Sequence, residues 1–235
     1  MSRYSRTFAA IPVVLLLSTP ASAGRYVATT VSNGGSVRGT VQFHGSAHRK
    51  RIKVTKNPAT CGRTKLSEAL IVHGHRLANA VVYLKDITRG KKGKRTQPVL
   101  DQHKCVYVPH VQAALKRSKL RLHSSDDVLH NVNGSQNGRV LFNVAMPMKG
   151  QTIRRKLRKA GLIRVKCDAG HTWMRAYIWV FPHPYFAVTG SDGRFELTDV
   201  PAGTYTLAVW HEKLGTRSTR VTVAAGGSVT KTFRY

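Results

Sequence analysis

Short apolar segments, not long ones, set the pattern of this chain. After residue 23, stretches of alternating or β-branched character are each bounded by Gly, Pro, Asn or Asp, which is typical of β-sandwiches. The pattern predicts an all-β fold with brief helices only, around residues 67–71. Strands are predicted near residues 37–43, 77–84, 106–115, 119–122, 139–144, 163–167 and 175–180, and from 186 to the C-terminus.

The N-terminus has the layout of an export signal. Arg3 and Arg6 precede an apolar run from Phe8 to Leu17, and Ala21-Ser-Ala23 offers a small-residue cleavage site. We expect residues 1–23 to be a signal peptide cut after Ala23, and the mature protein to be periplasmic or secreted, with a retained N-terminal anchor as the alternative. No segment approaches the roughly 20 apolar residues of a spanning helix, so no transmembrane segment is expected in the mature chain.

The C-terminal stretch carries a recognisable turn-and-strand signature. The segment Thr189-Gly-Ser-Asp-Gly-Arg-Phe-Glu-Leu-Thr-Asp-Val-Pro-Ala-Gly-Thr-Tyr-Thr-Leu207 places a hairpin turn at Ser191-Asp-Gly193. It resembles the carboxypeptidase regulatory-like, prealbumin-type β-sandwich, although the first Asp of that signature is missing. Residues 183–235 supply too few strands for an isolated sandwich, so another part of the chain must complete it.

Two early segments match the opening strands of the same family. They are Gly39-Thr-Val41 and Ala80-Val-Val-Tyr-Leu84. The resemblance implies that residues 24–95 complete the C-terminal sandwich and that residues 96–182 are a second, inserted domain. Two domains in series, divided near Pro182, are the alternative.

The charge of the chain is strongly positive. The formal net charge is +29, and removing residues 1–23, which contain Arg3 and Arg6 and no acid, lowers it by two to +27. Such a balance ordinarily suggests nucleic acid, but export and the scattering of the basic residues argue against that partner. We expect a redox partner protein such as an acidic c-type cytochrome, or an anionic envelope surface; a solvated basic coat is the alternative. With only 10 Asp and Glu residues and no Ser/His/Asp order, no enzyme is expected.

The three cysteines form an odd set for an oxidising compartment. A disulfide between Cys61 and Cys105 would close a long loop and contribute about 4 kcal/mol in the chain-entropy model. That pairing leaves Cys167 free for another role.

The free cysteine lies in the segment Cys167-Asp-Ala-Gly-His171-Thr-Trp-Met174, between two apolar strands. Copper that cycles between two oxidation states favours a thiolate, two imidazoles and a weak axial thioether. We therefore predict a copper site with Cys167, His171 and Met174 as ligands. The second imidazole should come from an earlier strand end, and His130 fits that place.

His130-Asn131 followed by the Cys-His-Met loop resembles the cupredoxin pattern of plastocyanin and amicyanin in order and approximate spacing. The resemblance implies a Greek-key sandwich in which the backbone of Asn131 donates to the thiolate and its side chain pins the ligand loop, with Asp168 as its partner. The loop is longer than that of plastocyanin, which leaves the blue or red class open. Ile163 stands where a dinuclear copper A site would need a second cysteine.

Over its whole mature length, the chain resembles bacterial exported proteins that join a cupredoxin to a carboxypeptidase regulatory-like domain, some called methylamine utilisation proteins. Matching segments include Trp173-Met-Arg-Ala-Tyr177 and Val209-Trp-His-Glu212. The expected function is periplasmic one-electron transfer by a mononuclear, type 1-like copper site. Copper delivery or storage, or an envelope-binding sandwich without a redox role, are the alternatives. His110 is expected to be structural, with a ligand role as its alternative.

Overall fold

The computed structural model describes residues 25–235. The predicted signal peptide over residues 1–23 lies outside the described residues. From residue 25 onward the regular secondary structure consists of strands, with one helix of four residues. In the same residues, no helix is long and apolar enough to cross a membrane. The predicted all-β fold class is confirmed.

The elements fall into three groups along the chain. The first group is β1 (Val27–Ala28), β2 (Gly35–Gln42), β3 (Arg51–Lys53), α1 (Pro58–Cys61), β4 (Thr64–Leu66), β5 (Val72–His73), β6 (Arg76–Leu77), β7 (Val81–Leu84) and β8 (Arg89–Gly90). The second is β9 (Val99–His103), β10 (Val106–Val108), β11 (Val111–Leu115), β12 (Lys119–Ser124), β13 (His130–Gln136), β14 (Arg139–Met146), β15 (Thr152–Lys156), β16 (Gly161–Lys166) and β17 (Arg175–Phe181). The third is β18 (Phe186–Val188), β19 (Arg194–Val200), β20 (Gly203–His211), β21 (Gly215–Val223) and β22 (Ser228–Arg234).

Strands β2, β5, β6 and β7 of the first group and all strands of the third group form one sandwich, which we call the flank sandwich. One sheet has the order β18-β7-β20-β21 and the other β19-β2-β6-β5, with β22 also paired to β2. In β2, Val37 is aligned with Leu197 on one side and with Val229 on the other. An N-terminal strand therefore lies between two C-terminal strands, and the two ends of the chain share a single apolar core.

The second group forms another sandwich, which we call the inserted sandwich. Its sheets have the orders β10-β9-β12-β15 and β11-β17-β16-β13-β14. Most neighbours are antiparallel, but β9 runs parallel to β12 and β11 runs parallel to β17. Its core is separate from that of the flank sandwich.

Alternation of side chains explains how the local sequence forms these strands. In β16, Ile163 and Val165 are buried while Arg164 and Lys166 are exposed. Such a period of two places one face of a strand against a core and the other in water. At the predicted hairpin turn, Gly193 adopts φ +64°, a left-handed conformation that favours glycine.

Aromatic side chains join the two sandwiches. Trp179 of the inserted sandwich meets Trp210 of the flank sandwich edge to face, with ring centroids 5.8 Å apart. Phe181 stacks on Phe186 at 4.8 Å. Val81 and Val111 are buried in the same contact. Such pairs add favourable packing beyond the area they bury, which fixes the relation between the two sandwiches.

One part of residues 24–95 contacts the inserted sandwich. Val54 and Cys61, from the segment that holds β3, α1 and β4, are buried in its core. Cys61 forms a disulfide with Cys105 at the β9–β10 turn. The covalent bond therefore ties this segment to the inserted sandwich.

The prediction of a helix around residues 67–71 is wrong, since that segment is irregular. The hydroxyl of Ser67 accepts a hydrogen bond from the backbone N–H of Ala69 at 3.3 Å. A serine side chain that bonds its neighbouring backbone in this way competes with helix formation. The one described helix is instead α1, at Pro58–Cys61.

Candidate metal centre

The Cys-His-Met loop connects two adjacent antiparallel strands. Strand β16 ends at Lys166, directly before Cys167, and β17 begins at Arg175, directly after Met174, with Lys166 and Arg175 aligned. Within the loop, the backbone N–H of Met174 donates to the carbonyl of His171 at 2.9 Å. The two sulfur-containing residues therefore occupy opposite ends of one closed loop.

His130 reaches this loop from the neighbouring strand. It is the first residue of β13, which pairs with β16 so that Asn133 is aligned with Lys166. The start of β13 is thereby placed beside Cys167. His130 and His171 are both fully buried, and Cys167 is 5% exposed.

Three donor atoms converge at this point. The Nδ1 atoms of His130 and His171 are 3.2 Å apart, and the Cys167 sulfur is 3.7 Å from Nδ1 of His171. At tetrahedral angles, an ion about 2.0–2.1 Å from nitrogen and about 2.3 Å from sulfur would hold two nitrogens about 3.3 Å apart and a nitrogen and a sulfur about 3.6 Å apart. The observed separations match a single first-row metal ion.

The outer nitrogen of each imidazole has an acceptor of its own. His130 Nε2 lies 2.9 Å from a carboxylate oxygen of Asp126, and His171 Nε2 lies 3.0 Å from the amide oxygen of Asn57. Each Nε2 can therefore donate its proton outward. That arrangement leaves the two Nδ1 atoms directed at each other, 3.2 Å apart.

This tautomer choice is the one a metal site requires. Histidine ligands commonly donate their other N–H to a carboxylate or carbonyl, which fixes the ring and leaves a lone pair for the metal. Burial lowers the pKa of His171 to about 4, with the nearby His130 and Lys56 adding to the effect. The ring is therefore neutral in neutral solution.

The sulfur of Cys167 is held by backbone and loop contacts. The backbone N–H of Asn131 points to it at 3.4 Å. The side-chain oxygen of Asn131 accepts from the N–H of Asp168 at 3.2 Å, and Asn133 donates to the Asp168 carboxylate at 2.6 Å. The hydrogen bond from Asn133, followed by that from Lys166, lowers the pKa of Asp168. Asn131 and Asp168 therefore contact each other beside the sulfur of Cys167.

Met174 and Trp173 close the other side of the loop. Met174 is 1% exposed and lies in the same apolar core as Cys167. The Trp173 indole meets the His171 ring edge to face at 5.3 Å and donates its N–H to the carbonyl of Cys105 at 2.9 Å. The tryptophan therefore links the loop to the disulfide.

A disulfide-bonded segment covers the imidazole of His171. Asn57 directly precedes α1, whose last residue is Cys61, and Lys56 donates to the carbonyl of Ala169 in the loop at 2.8 Å. The Cys61–Cys105 disulfide ties the C-terminal end of this segment to the β9–β10 turn. We call residues 54–61 the cap segment.

Sequence reasoning missed Asp126 and Asn57. Asp126 is in the polar turn before His130, and its carboxylate also accepts the backbone N–H groups of Lys104 at 2.6 Å and Cys105 at 2.7 Å. Its position four residues before a candidate ligand was a signal that could have found it. Asn57 is 114 residues from His171, and no local pattern connects the two.

Comparison with known families identifies one part of the chain. Residues 164–235 match the family model of the carboxypeptidase regulatory-like domain. The matched residues comprise strands β18 to β22 of the flank sandwich and also the second half of β16, the Cys-His-Met loop and β17 of the inserted sandwich. No curated protein sequence matches the chain.

Several solved structures are similar to parts of the chain. A purple cupredoxin from Nitrosopumilus maritimus is 18% identical over 36% of this chain and 100% of its own, with a TM-score of 0.32. Amicyanin from Paracoccus versutus is 18% identical over 38% of this chain and 86% of its own, with a TM-score of 0.32. A copper-containing nitrite reductase from Thermus scotoductus is 15% identical over 39% of this chain and 24% of its own, with a TM-score of 0.34.

Proposed function

We propose that the chain is an exported one-electron carrier with a single copper ion bound by His130, Cys167, His171 and Met174. The observation that supports it best is the convergence of the Nδ1 atoms of His130 and His171, 3.2 Å apart, beside a buried thiol. A bound cation would be coordinated by these three donor atoms together.

The donor set favours copper over other metals. A soft thiolate with two imidazoles and a thioether suits an ion that alternates between Cu(I) and Cu(II). Bound copper would supply that one-electron change. Met174, fully buried at the end of the loop, would be the weak axial ligand.

The protein contributes a fixed, dry environment. Asp126 and Asn57 hold the two imidazoles from outside, and Asn131 holds the sulfur of Cys167. Side chains that are held in place move little when the charge at their centre changes. Low reorganisation is what an electron carrier needs, and it is the reason to favour a carrier over an enzyme.

The basic surface suggests the kind of partner. Lys56, Lys166 and Arg175 surround the loop on the exposed side. We propose that an acidic redox protein, such as a c-type cytochrome, docks here and that the signal-like N-terminus exports the chain to the periplasm or beyond. Attraction between opposite charges would speed the encounter and weaken as salt increases.

A visible spectrum of the copper-loaded protein tests the proposal. We expect one copper ion per chain and an intense thiolate-to-copper absorption that disappears in Cys167→Ala. Asp127→Asn, at an exposed position near His130, is the matched control and should keep the colour. Colour that persists in Cys167→Ala would refute the ligand assignment. A colourless protein that binds only Cu(I) would indicate delivery or storage instead.

A further inference from the structure

A second cluster of metal-binding side chains lies in a cleft where the two sandwiches meet. The cleft encloses about 500 Å³, and Trp173 and Met174 of the copper loop form part of its wall. Glu68, His110 and Glu212 also line it. Glu68 follows β4, His110 lies between β10 and β11, and Glu212 follows β20. Three separate parts of the chain therefore contribute to one site.

His110 is the centre of this cluster. It is 8% exposed, and its Nε2–H donates to the carboxylate of Glu212. The Glu212 side chain is 7% exposed. The other ring nitrogen, Nδ1, is buried without a hydrogen-bond partner and lies 3.8 Å from a carboxylate oxygen of Glu68. A buried polar atom without a partner is uncommon and needs an explanation.

The contacts of His110 show which ring nitrogen is available to a ligand. Because Glu212 accepts the proton on Nε2, Nδ1 is the nitrogen that faces the Glu68 carboxylate. A carboxylate behind a histidine, with the opposite nitrogen free, is the usual arrangement around metal-binding histidines. Burial, followed by the charge of the nearby Glu212 carboxylate, raises the pKa of Tyr177 to about 12.

The spacing also suits a metal ion. Two donors that are each about 2.0–2.2 Å from an ion lie between about 3 and 4 Å apart, and the observed separation is 3.8 Å. That distance is too long for a hydrogen bond. The Glu68 carboxylate therefore does not satisfy Nδ1 through a hydrogen bond, whereas a cation between the two atoms would contact both.

We propose that His110 Nδ1 and Glu68 bind a transition-metal dication of the zinc type, with Glu212 orienting the imidazole and the remaining coordination positions open to water in the cleft. This site is separate from the thiolate centre: it has nitrogen and oxygen donors only, and it does not depend on copper at Cys167. Open sites with few protein ligands keep water on the metal and bind it exchangeably.

Titration of Zn²⁺ into the mature chain tests this second site. Calorimetry compares His110→Ala with the unaltered chain, and repeats the comparison in a Cys167→Ala/His171→Ala background that lacks two donors of the thiolate centre. In both backgrounds we expect His110→Ala to lose one equivalent of zinc. We expect Glu68→Gln to weaken the same event by about tenfold or more, and Glu212→Gln by about 10- to 100-fold.

His73→Ala, at an exposed histidine of β5, is the matched control and should retain the zinc. Zinc X-ray absorption on the double-variant background should show nitrogen and oxygen neighbours. Unchanged zinc binding in Glu68→Gln and in any folded His110→Ala protein would refute the site, as would sulfur in the zinc shell. If circular dichroism shows that His110→Ala is unfolded, the zinc affinity of Glu68→Gln tests the site instead. The Glu68 side chain is 29% exposed, so this variant should still fold. If the proposed copper centre does not bind copper, zinc binding in the Cys167→Ala/His171→Ala background would be unchanged. The two proposals can therefore fail separately.

Discussion

The Nδ1 atoms of His130 and His171 face each other at 3.2 Å, and each ring is turned that way by a different outer partner. Asp126 orients His130 from a turn four residues earlier, whereas Asn57 orients His171 from the distant cap segment. The proposed metal site therefore depends on the two candidate ligands and also on residues that hold their outer nitrogens. Substitutions of Asp126 and Asn57 can therefore test the orienting role separately from the role of the candidate ligands.

Asp126→Asn should lower both copper affinity and stability. The carboxylate accepts from His130 and from the backbone N–H groups of Lys104 and Cys105. An amide has one acceptor oxygen, so a buried donor loses its partner, at about 1–3 kcal/mol of the free energy of unfolding. Copper affinity should fall by about 10- to 100-fold because the tautomer of His130 is no longer fixed. Competition with a chelator measures the affinity, urea unfolding measures the stability, and the exposed Asp127→Asn serves as control.

Asn57→Gly should weaken copper binding with little loss of stability. Asn57 has φ 52°, a left-handed conformation that glycine adopts freely, so the backbone is not strained by the change. The variant removes the amide oxygen that accepts from His171 and opens the covered edge of that ring. We expect about tenfold lower copper affinity with an unchanged unfolding midpoint. Affinity equal to that of the unaltered protein would show that the cap segment does not orient the ligand.

The Cys61→Ser/Cys105→Ser double variant should lose stability and copper affinity together. The disulfide closes a sequence separation of 44 residues, and removing such a bond typically costs about 2–5 kcal/mol. It also frees the cap segment and the Cys105 carbonyl that Trp173 contacts. Thermal unfolding and chelator competition measure the two losses, and reduction of the unaltered protein with a mild thiol should reproduce both. Copper binding that survives at full strength would separate the disulfide from the site.

The Cys-His-Met loop stands out in the sequence because its candidate ligands lie within one segment of eight residues. Cys167, His171 and Met174 lie within one loop, and His130 is marked by the Asn131 that follows it. The hydrophobic pattern did not predict β13, since its sequence His-Asn-Val-Asn-Gly-Ser-Gln buries polar side chains such as Asn133 and Gln136. Those side chains find partners in Asp168 and in the carbonyl of Ala160. The partners come from other strands, and the sequence does not display the pairing.

The role of the cap segment could not be predicted from the sequence, for a related reason. Its contacts with the loop span more than 100 residues, as in the hydrogen bonds from Lys56 to Ala169 and from His171 to Asn57. The cysteine count favoured the disulfide, but what the disulfide positions follows only from the fold. The cluster of Glu68, His110 and Glu212 was likewise hidden, because the three residues meet only where the two sandwiches meet.

Stability should fall between neutral pH and pH 5, in part through His183. This histidine is 4% exposed, and burial lowers its pKa to about 4 from an ordinary value of 6.5. The unfolded chain therefore binds a proton at pH values where the folded chain does not. Stability from this group is complete above pH 6.5 and is lost as the pH falls towards 4, which amounts to about 2 kcal/mol between pH 7 and pH 5.

His183→Asn tests this assignment because asparagine keeps an acceptor for the backbone N–H of Tyr185, which His183 Nδ1 accepts at 3.3 Å. Urea unfolding of both proteins at pH 7 and pH 5 measures the pH dependence of each. The difference between the two pH values should be smaller in the variant by about 2 kcal/mol, since asparagine does not titrate. An equal pH dependence in both proteins would mean that His183 is protonated alike in the folded and unfolded chains. Burial would then not raise the free energy of its charged form, and the acid sensitivity would have to come from other groups.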